Sequence, residues 1–111
     1  MEISPTELRY YQAASGGCPF KEWLDRLDNS EQVLVDVRLA RLRMGLLCDH
    51  RHLGSGLFEA RLHAGPGYRL YFGRDGNTLI ILLQGGDKKS QPSDIEKAHF
   101  YWFDYLRRTR K

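Results

Sequence analysis

A stretch near the middle of the chain carries the side chains most suited to chemistry. Residues 56–73, GLFEARLHAGPGYRLYFG, read as two strands around a Gly-Pro-Gly bend. With the two-residue period of a strand, Arg61 and His63 lie on one side of the first strand, and Arg69 and Tyr71 share a side of the second. We therefore expect these four polar side chains to converge on one face of a sheet.

The pairing of the two strands follows from burial. With His63 opposite Tyr68, core and solvent residues would share a face, whereas with His63 opposite Arg69, and Arg61 opposite Tyr71, the apolar residues lie together. Because a one-residue slip moves every side chain to the other face, burial favours the second register. The apolar face then comprises Phe58, Ala60, Leu62, Leu70 and Phe72.

The polar face is suited to binding a phosphodiester. Two guanidinium groups beside an imidazole repel each other, so an anion is expected there, and arginine offers a planar fork of donors that matches a phosphate. RNA supplies its own 2′-hydroxyl nucleophile, so cleavage needs an acid, a base and cations, without a metal. His63 and Tyr71 are suited to proton transfer, while Arg61 and Arg69 are suited to holding the phosphate.

Other interpretations of the same residues remain open. Glu59 could neutralise Arg61 in a solvated ion pair, which would make the face structural. Lys88 and Lys89 could reach the same groove or form an ordinary exposed loop pair. Cys48, His50 and His52 could suggest a metal site, but no fourth ligand pattern accompanies them. A phosphate loop, a serine nucleophile elbow and paired catalytic carboxylates are absent from the sequence.

The composition indicates one globular domain over residues 1–111 and a basic surface. The net charge is +3, with three basic and seven acidic residues in 1–37 and fourteen basic and seven acidic in 38–111. Such a charge distribution favours polyanion binding. We find no membrane-spanning run or leader peptide and expect a cytoplasmic protein that does not contact membranes. Cys18 and Cys48 are expected to be reduced thiols.

The order of elements predicted to position these residues is β-α-α-β-β-β-α. A strand lies at 6–12, a helix follows Pro19, and Asn29 or Ser30 caps a second helix after a short connection. The apolar stripe predicted for that helix is Val33, Val37, Ala40, Met44 and Leu47. The segment 48–56 is predicted to be irregular. Grouped helices and successive hairpins indicate an α+β fold with a mainly antiparallel twisted sheet.

The last part of the chain completes the sheet and covers it. Asp75-Gly76 predicts a hairpin turn into the strand 78–83, which is apolar on both faces and therefore belongs in the interior of a doubly covered sheet. Ser93 and Glu96 form the pattern of a capping box for a final helix. The core stripe of that helix is predicted to be Ile95, Ala98, Trp102 and Leu106.

Four short motifs in this order resemble the RelE/ParE superfamily of bacterial toxins, most closely its HigB-like branch, the addiction module killer proteins. They are Leu57, Glu59 and Arg61; Tyr68, Arg69 and Phe72; Gly85 to Lys88; and Asp94 to Trp102. The resemblance covers nearly the whole chain and implies a RelE-like fold.

The resemblance also implies a function. Members of these branches are typically endoribonucleases that cut translated mRNA on the ribosome without a metal or other cofactor and so inhibit translation. A cognate helix-turn-helix antitoxin neutralises the toxin, and operator DNA is bound only through the toxin–antitoxin complex. Arg61, Arg69 and Lys88 match the family's basic positions. Lys89, Arg107 and Arg108 are grouped with Lys88 as RNA-binding candidates.

Two further functions compete with the nuclease. A ParE-like protein of the same fold would inhibit DNA gyrase without catalytic groups. A binding module would have only the antitoxin as partner, through Phe100 and Phe103, which fall off the core stripe of the last helix; burial of that helix on two sides is the interpretation we favour for them. His99, Tyr101 and Tyr105 are further acid or base candidates, with both tyrosines expected to be partly buried.

Overall fold

The fold is a five-stranded sheet with helices on both faces. A computed structural model describes residues 5–110. The strands are β1 (Glu7–Tyr10), β2 (His50–Gly54), β3 (Leu57–Arg61), β4 (Arg69–Asp75) and β5 (Leu79–Gly86), and the helices are α1 (Pro19–Asp25), α2 (Asn29–Arg43) and α3 (Gln91–Thr109). The predicted α+β class is confirmed.

The strand order across the sheet is β1-β5-β4-β3-β2. β1 pairs with β5 in parallel, and the other three pairings are antiparallel. The predicted hairpin at Asp75-Gly76 joins β4 to β5 as expected. The sheet is therefore mainly antiparallel, with one parallel strand added at its edge.

The sequence pattern does not predict β2, which lies within the segment expected to be irregular. β2 pairs antiparallel with β3, with His50 opposite Ala60 and Arg51 opposite Glu59. The strand lies at the edge of the sheet and is largely exposed and polar, so it lacks the apolar alternation that identifies a half-buried strand. The element order thus contains one more strand than the sequence predicts.

The register of β3 on β4 is shifted by two residues from the predicted one. Arg61 lies opposite Arg69 and Glu59 opposite Tyr71, whereas we expected His63 opposite Arg69. A two-residue shift keeps every side chain on its face, so burial could select the face but not the register. The predicted apolar face is confirmed, since Ala60, Leu62, Leu70 and Phe72 lie in one core cluster with Phe58 packed against it.

β5 separates two cores, as its apolar character on both faces predicted. Ile80 and Leu82 face the cluster formed with α1 and α2, while Ile81 and Leu83 face the cluster formed with α3. Gly85 allows α1 to approach this strand closely, because a Cβ there would lie 2.1 Å from the Trp23 ring. Trp23 therefore packs directly over the strand backbone.

α2 has Asp28 as its cap, one residue before the predicted cap positions, and buries a different face. Asp28 accepts from the Glu31 backbone N–H, and Glu31 accepts from that of Asp28, in a capping box. The predicted core stripe is wrong: Val33, Val37, Ala40 and Met44 are exposed, and of that stripe only Leu47, beyond the helix end, packs on the core. The buried face consists of Val35, Arg38, Leu39 and Leu42. Both sides of α2 carry apolar residues, so periodicity alone could not choose between them.

α3 begins at Gln91, with Ser90 as its N-cap. The predicted Ser93–Glu96 capping box is therefore wrong, and the Ser93 hydroxyl instead donates to the Ser90 carbonyl inside the first turn. Ala98 and Trp102 are buried as predicted, and the Trp102 indole N–H donates to the Ser55 carbonyl at 2.7 Å. Tyr101 and Tyr105 are half-buried, as expected.

The outer side of α3 is not covered. Phe100 is 68% exposed and Phe103 52% exposed. Burial of this helix on two sides, the interpretation favoured from the sequence, is therefore wrong for the chain by itself. Within residues 5–110, the helices are all too short or too polar to cross a membrane.

Candidate nucleic-acid interface

A basic cleft lies where β3 ends and β4 begins. Its volume is about 430 Å³. The residues that line this cleft are Arg61, Leu62, His63, Ala64, Gly65, Gly67, Tyr68, Arg69 and Lys88. Three of the four side chains predicted to converge, Arg61, His63 and Arg69, are thus brought together, and Lys88 joins them from the loop after β5.

The two arginines face one another across the strands and differ in how they are held. Arg61 is opposite Arg69 in the ladder. The Arg61 side chain is 41% exposed and its Nη2 lies 3.5 Å from a carboxylate oxygen of Asp49. Arg69 is 13% exposed, donates from Nη1 to the Gly67 carbonyl at 2.8 Å, and has its Nε 3.9 Å from Glu59. Neither arginine forms a closed bidentate ion pair, and Arg61 is the more accessible of the two to an added anion.

Asp49 contacts both Arg61, at the end of β3, and His63, in the loop that follows. One carboxylate oxygen contacts the Nε2 of His63, and the other faces Arg61. The pKa of Asp49 is lowered, first by the hydrogen bond with His63 and then by the Arg61 charge. The carboxylate fixes Nε2 as the donor side of the ring and leaves Nδ1 as the other polar atom of the imidazole.

A buried arginine of α2 aligns the backbone beneath this pair. Arg38 donates from Nη1 to the Arg61 carbonyl at 3.0 Å and from Nη2 to the Asp49 carbonyl at 2.6 Å. The Arg61 N–H in turn donates to the Asp49 carbonyl at 3.0 Å. Burial lowers the pKa of Arg38. These contacts hold the end of β3 and the segment before β2 at one fixed separation.

Glu59 lies beside the cleft but is completely buried. Its Oε1 is 3.4 Å from Arg51 and its Oε2 accepts from the Gln91 amide at 2.9 Å, with Arg69 the next cation. The predicted solvated pair between Glu59 and Arg61 is therefore wrong, because α3 covers the carboxylate and Arg61 turns to Asp49 instead. Arg69 is the one residue shared by the buried cluster and the cleft.

Tyr71 is not brought to the cleft. It is opposite Glu59 and fully buried in the core beneath α3. Burial, followed by the nearby Glu59 carboxylate, raises the pKa of Tyr71 far above its usual value. Its predicted convergence with the other three residues does not occur, because the two-residue register shift moves it one pair inward.

The other basic candidates divide between the cleft and the far end of α3. Lys88 lines the cleft and its N–H donates to the Pro66 carbonyl at 3.3 Å, while Lys89 is exposed on the same loop outside the lining. Arg107 and Arg108 both pair with Asp104, at 2.6 and 2.8 Å. Arg108 also donates to the Gln12 carbonyl. Arg108 thus binds the end of α3 to the segment after β1, whereas Arg107 pairs with Asp104 within the helix itself.

Gly67 shapes the floor of the cleft. Its φ is +78°, and a Cβ there would lie 3.3 Å from the Arg69 Nη1 and 3.4 Å from the Lys88 Cβ. The turn therefore requires glycine both for its left-handed backbone and for the close approach of two cleft cations.

Comparison with known proteins shows to which family this chain belongs. The profile of the phage-derived Gp49-like family (DUF891) matches residues 22–100. The chain belongs to this family. An uncharacterized protein of Haemophilus influenzae is 39% identical over 80 residues, which is 71% of this chain and 81% of that protein. The Gp49-like family belongs to the RelE/addiction module killer superfamily and is a family of toxin-like addiction module proteins.

The Gp49-like match includes the cleft. Arg61, His63, Arg69 and Lys88 all lie within the matched residues, as do Asp49 and Glu59, whereas Arg107 and Arg108 lie beyond them. The part of the chain that matches the family thus contains all the basic residues that line the cleft.

Sequence reasoning missed Asp49 as a site residue. The residue precedes β2, and the β2–β3 register brings its backbone opposite Arg61. Recognition of HRHLG as a strand would have placed Asp49 beside Arg61. The neighbouring Cys48, His50 and His52 are exposed; His50 contacts the Cys48 carbonyl and His52 accepts from the Gly56 N–H. Among residues 5–110, His, Cys, Asp and Glu form no group of three suited to a metal.

Proposed function

We propose that this Gp49-like protein is the toxin of a type II toxin–antitoxin module of the HigB-like branch. In this proposal it is an endoribonuclease that cuts translated mRNA without a metal and so stops protein synthesis. The observation that carries the proposal is the pairing of Arg61 with Arg69 in a cleft that also holds His63 and Lys88. Membership of a toxin-like addiction module family supports it.

The arginine pair and Lys88 would hold the scissile phosphate. Each guanidinium already has a carboxylate neighbour, but these lie at 3.5 and 3.9 Å, and neither pair is a closed bidentate bridge. A phosphate in the cleft would offer both arginines shorter, charge-assisted contacts. The same positive charges would stabilise the extra negative charge that develops on the phosphoryl oxygens.

His63 would move the proton. With Nε2 held by Asp49, Nδ1 is the ring atom left to accept the proton of the RNA 2′-hydroxyl. The 2′ oxygen then forms a bond to phosphorus while the bond from phosphorus to the 5′ oxygen breaks. The released 5′ oxygen takes a proton from a water molecule, and that water takes the proton held by His63, so the imidazole returns to its neutral form. The products are a 2′,3′-cyclic phosphate and a 5′-hydroxyl end. The His63 side chain is 79% exposed, so it is accessible to such a substrate.

The partners in this proposal are the translating ribosome with its mRNA and a cognate helix-turn-helix antitoxin. Operator DNA would be bound only through the toxin–antitoxin complex. The support for these partners is the family membership together with the resemblance of the strand and helix motifs to HigB-like toxins.

The proposal is tested by adding the purified protein to a reconstituted translation reaction and mapping transcript ends by primer extension. We expect defined cuts within the translated region with the wild-type chain, and none with Arg61→Ala/Arg69→Ala. Lys21→Ala, an exposed lysine of α1 that pairs with Asp25 and lies outside the cleft lining, is the matched control and should leave cleavage unchanged.

Two other outcomes would replace this proposal. Intact transcripts together with loss of DNA supercoiling by gyrase would show the ParE-like activity instead. Unimpaired translation and unimpaired gyrase, with binding to the antitoxin retained, would show a binding module with no target of its own. Cleavage that persists in a folded double variant would contradict the role given to the arginine pair.

A further inference from the structure

The outer face of α3 has a pattern that matches a copy of itself. Its exposed side chains include Glu96, Phe100, Phe103 and Arg107, spaced by four, three and four residues. This spacing places them in one row along a helix. The row has an acid at one end, a base at the other and two phenylalanines between them.

The row is symmetric about its own centre. The pair Phe100 and Phe103 and the pair Glu96 and Arg107 share one midpoint, between residues 101 and 102. When two such helices pack antiparallel about a two-fold axis, a residue on one side of the midpoint meets its counterpart in the other copy. Phe100 then meets Phe103 of the second copy, and Glu96 meets the second Arg107, each contact occurring twice.

Two adjacent exposed aromatic rings indicate an interaction surface more strongly than a single exposed apolar residue does. Phe100 and Phe103 are 68% and 52% exposed and stand beside one another on the helix. They line a groove of about 210 Å³ with Asp104 and Arg107, and Phe100 borders a second groove with Glu96. A phenylalanine of a second copy can enter these grooves, where ring pairing adds to the apolar burial.

Arg107 can exchange its ion-pair partner without leaving the Asp104 carboxylate unpaired. Its present acceptor is Asp104, which also accepts from the Tyr11 hydroxyl at 2.7 Å and pairs with Arg108 at 2.8 Å. If Arg107 turns towards Glu96 of another molecule, Asp104 keeps two donors. Glu96 is exposed at the other end of the row and is available for that pairing.

We propose that α3 is a homodimer interface in which two copies pack antiparallel through Phe100, Phe103, Glu96 and Arg107. The second copy is favoured over an unrelated partner because both the aromatic and the charged pairs are complementary to themselves under the two-fold. The cleft is lined by residues of β3, β4 and adjoining loops, so it would stay open in both protomers. The proposal does not depend on the nuclease activity.

The expected dimer is weak. The exposed parts of the two rings amount to roughly 200–300 Å² per protomer, since a whole phenylalanine buries about 150–250 Å². A standard stable interface buries about 800 Å² per partner. We expect a dissociation constant in the micromolar range, and the dimer should be measured across a concentration series rather than at one dilution.

Sedimentation velocity of the purified full chain tests the interface. The wild type should shift from monomer to dimer between about 1 and 300 μM, the range that brackets a micromolar constant. Phe100→Asp/Phe103→Asp should weaken dimerisation by about 30-fold or more, as expected for central aromatic anchors. Val37→Asp, on the exposed apolar side of α2, is the control and should dimerise like the wild type.

A charge swap then separates a self-complementary interface from any other. Glu96→Arg alone and Arg107→Glu alone each place like charges opposite one another and should dimerise poorly. Mixed together they should form a heterodimer, because one copy then presents two basic side chains at these positions and the other copy presents two acidic ones. Circular dichroism should show unchanged helix content in each variant.

Three results would overturn the proposal. The wild type could stay monomeric over the whole range, dimerisation could survive the double aspartate variant, or the Val37→Asp control could abolish it and so assign the interface to α2. A monomeric chain whose aromatic variant loses only antitoxin binding would assign this face to the antitoxin instead.

Discussion

The row of polar side chains on one face of β3 and β4 lies in two different surroundings, although the two parts are only two residues apart along each strand. Glu59 and Tyr71 are opposite one another beneath α3 and are completely buried. Arg61 and Arg69 form the next pair along the same face, and there the row opens into the cleft. The alternation of side chains is the same in both parts, so the covering helix alone decides which pair is structural and which is available to a ligand.

The boundary between the two parts is set by the beginning of α3. Its first residue, Gln91, donates to Glu59, so the helix starts over the buried pair. Under the helix, the Glu59 carboxylate accepts a hydrogen bond from Gln91, whereas beyond the start of the helix Arg61 is 41% exposed and faces Asp49 at 3.5 Å. A basic strand end thus becomes available to a ligand where the covering helix stops.

The largest effect should come from the open pair. Arg61→Ala should reduce cleavage and growth arrest by about 10²- to 10³-fold, the size expected when a donor to the developing charge is lost. Its stability should change little, because the ion pair with Asp49 is solvent-exposed. Growth arrest on induction and thermal unfolding measure the two effects. Equal loss of folding and activity would contradict the division between the two parts.

Removal of the carboxylate behind His63 should have a smaller effect on activity. Asp49→Asn should slow cleavage by about 10- to 100-fold, the rate equivalent of one lost hydrogen bond to a charged group. The pKa of Asp49 is lowered below its ordinary value, so the group is charged above about pH 4 and loses its charge only below that. Asp49 therefore stays charged from about pH 6 to 8, and the defect should be present in cleavage rates throughout that range. A defect that vanishes at one end would contradict this role.

Substitution within the buried pair of Glu59 and Tyr71 should mainly lower the stability of the fold. Glu59→Ala should destabilise the fold by about 1–3 kcal/mol, because it leaves the half-buried Gln91 amide without its acceptor and Arg69 without its nearest carboxylate. Chemical denaturation of this variant should be compared with that of Asp49→Ala. If the exposed Asp49 proves the more costly of the two, burial does not divide the row as we describe.

Substitution of Gly67 in the floor of the cleft should have the smallest effect on function. Gly67→Ala should cost about 1–2 kcal/mol of stability, because its left-handed backbone disfavours a Cβ. It should also displace Arg69 or Lys88 by a few tenths of an ångström and weaken RNA binding more than the equally left-handed Gly76→Ala, which has open space around it. RNA affinity by fluorescence anisotropy, with Gly76→Ala as the control, measures this difference.

Strand alternation predicted which side chains of β3 and β4 are buried, whereas the apolar stripe predicted for α2 was wrong. The alternation in β3 and β4 placed Ala60 and Leu70 in the core correctly, since a buried face constrains parity. The same rule could not fix the register, and the error moved Tyr71 from the cleft to the interior. For α2, Val33 and Val35 are equally apolar, and the sheet buries only the second.

The candidate site could be predicted only in part for the same reason. Arg61, His63, Arg69 and Lys88 follow from strand periodicity and loop position and do meet in one cleft. Asp49 could not be found, because it depends on the exposed edge strand β2, whose polar residues give no burial signal. The roles of all these residues in catalysis stay predictions until cleavage is measured.

The pairing of β1 with β5 has a consequence for the order of folding. Glu7 is aligned with Leu79, so the partners are separated by α1, α2 and three intervening strands in the chain. Contacts that close such long loops form late and slow the search for the native state. During synthesis the hairpin of β3 and β4 can assemble from neighbouring segments, whereas β1 must wait for β5 to emerge. The earliest strand to be synthesised is therefore among the last to enter the sheet.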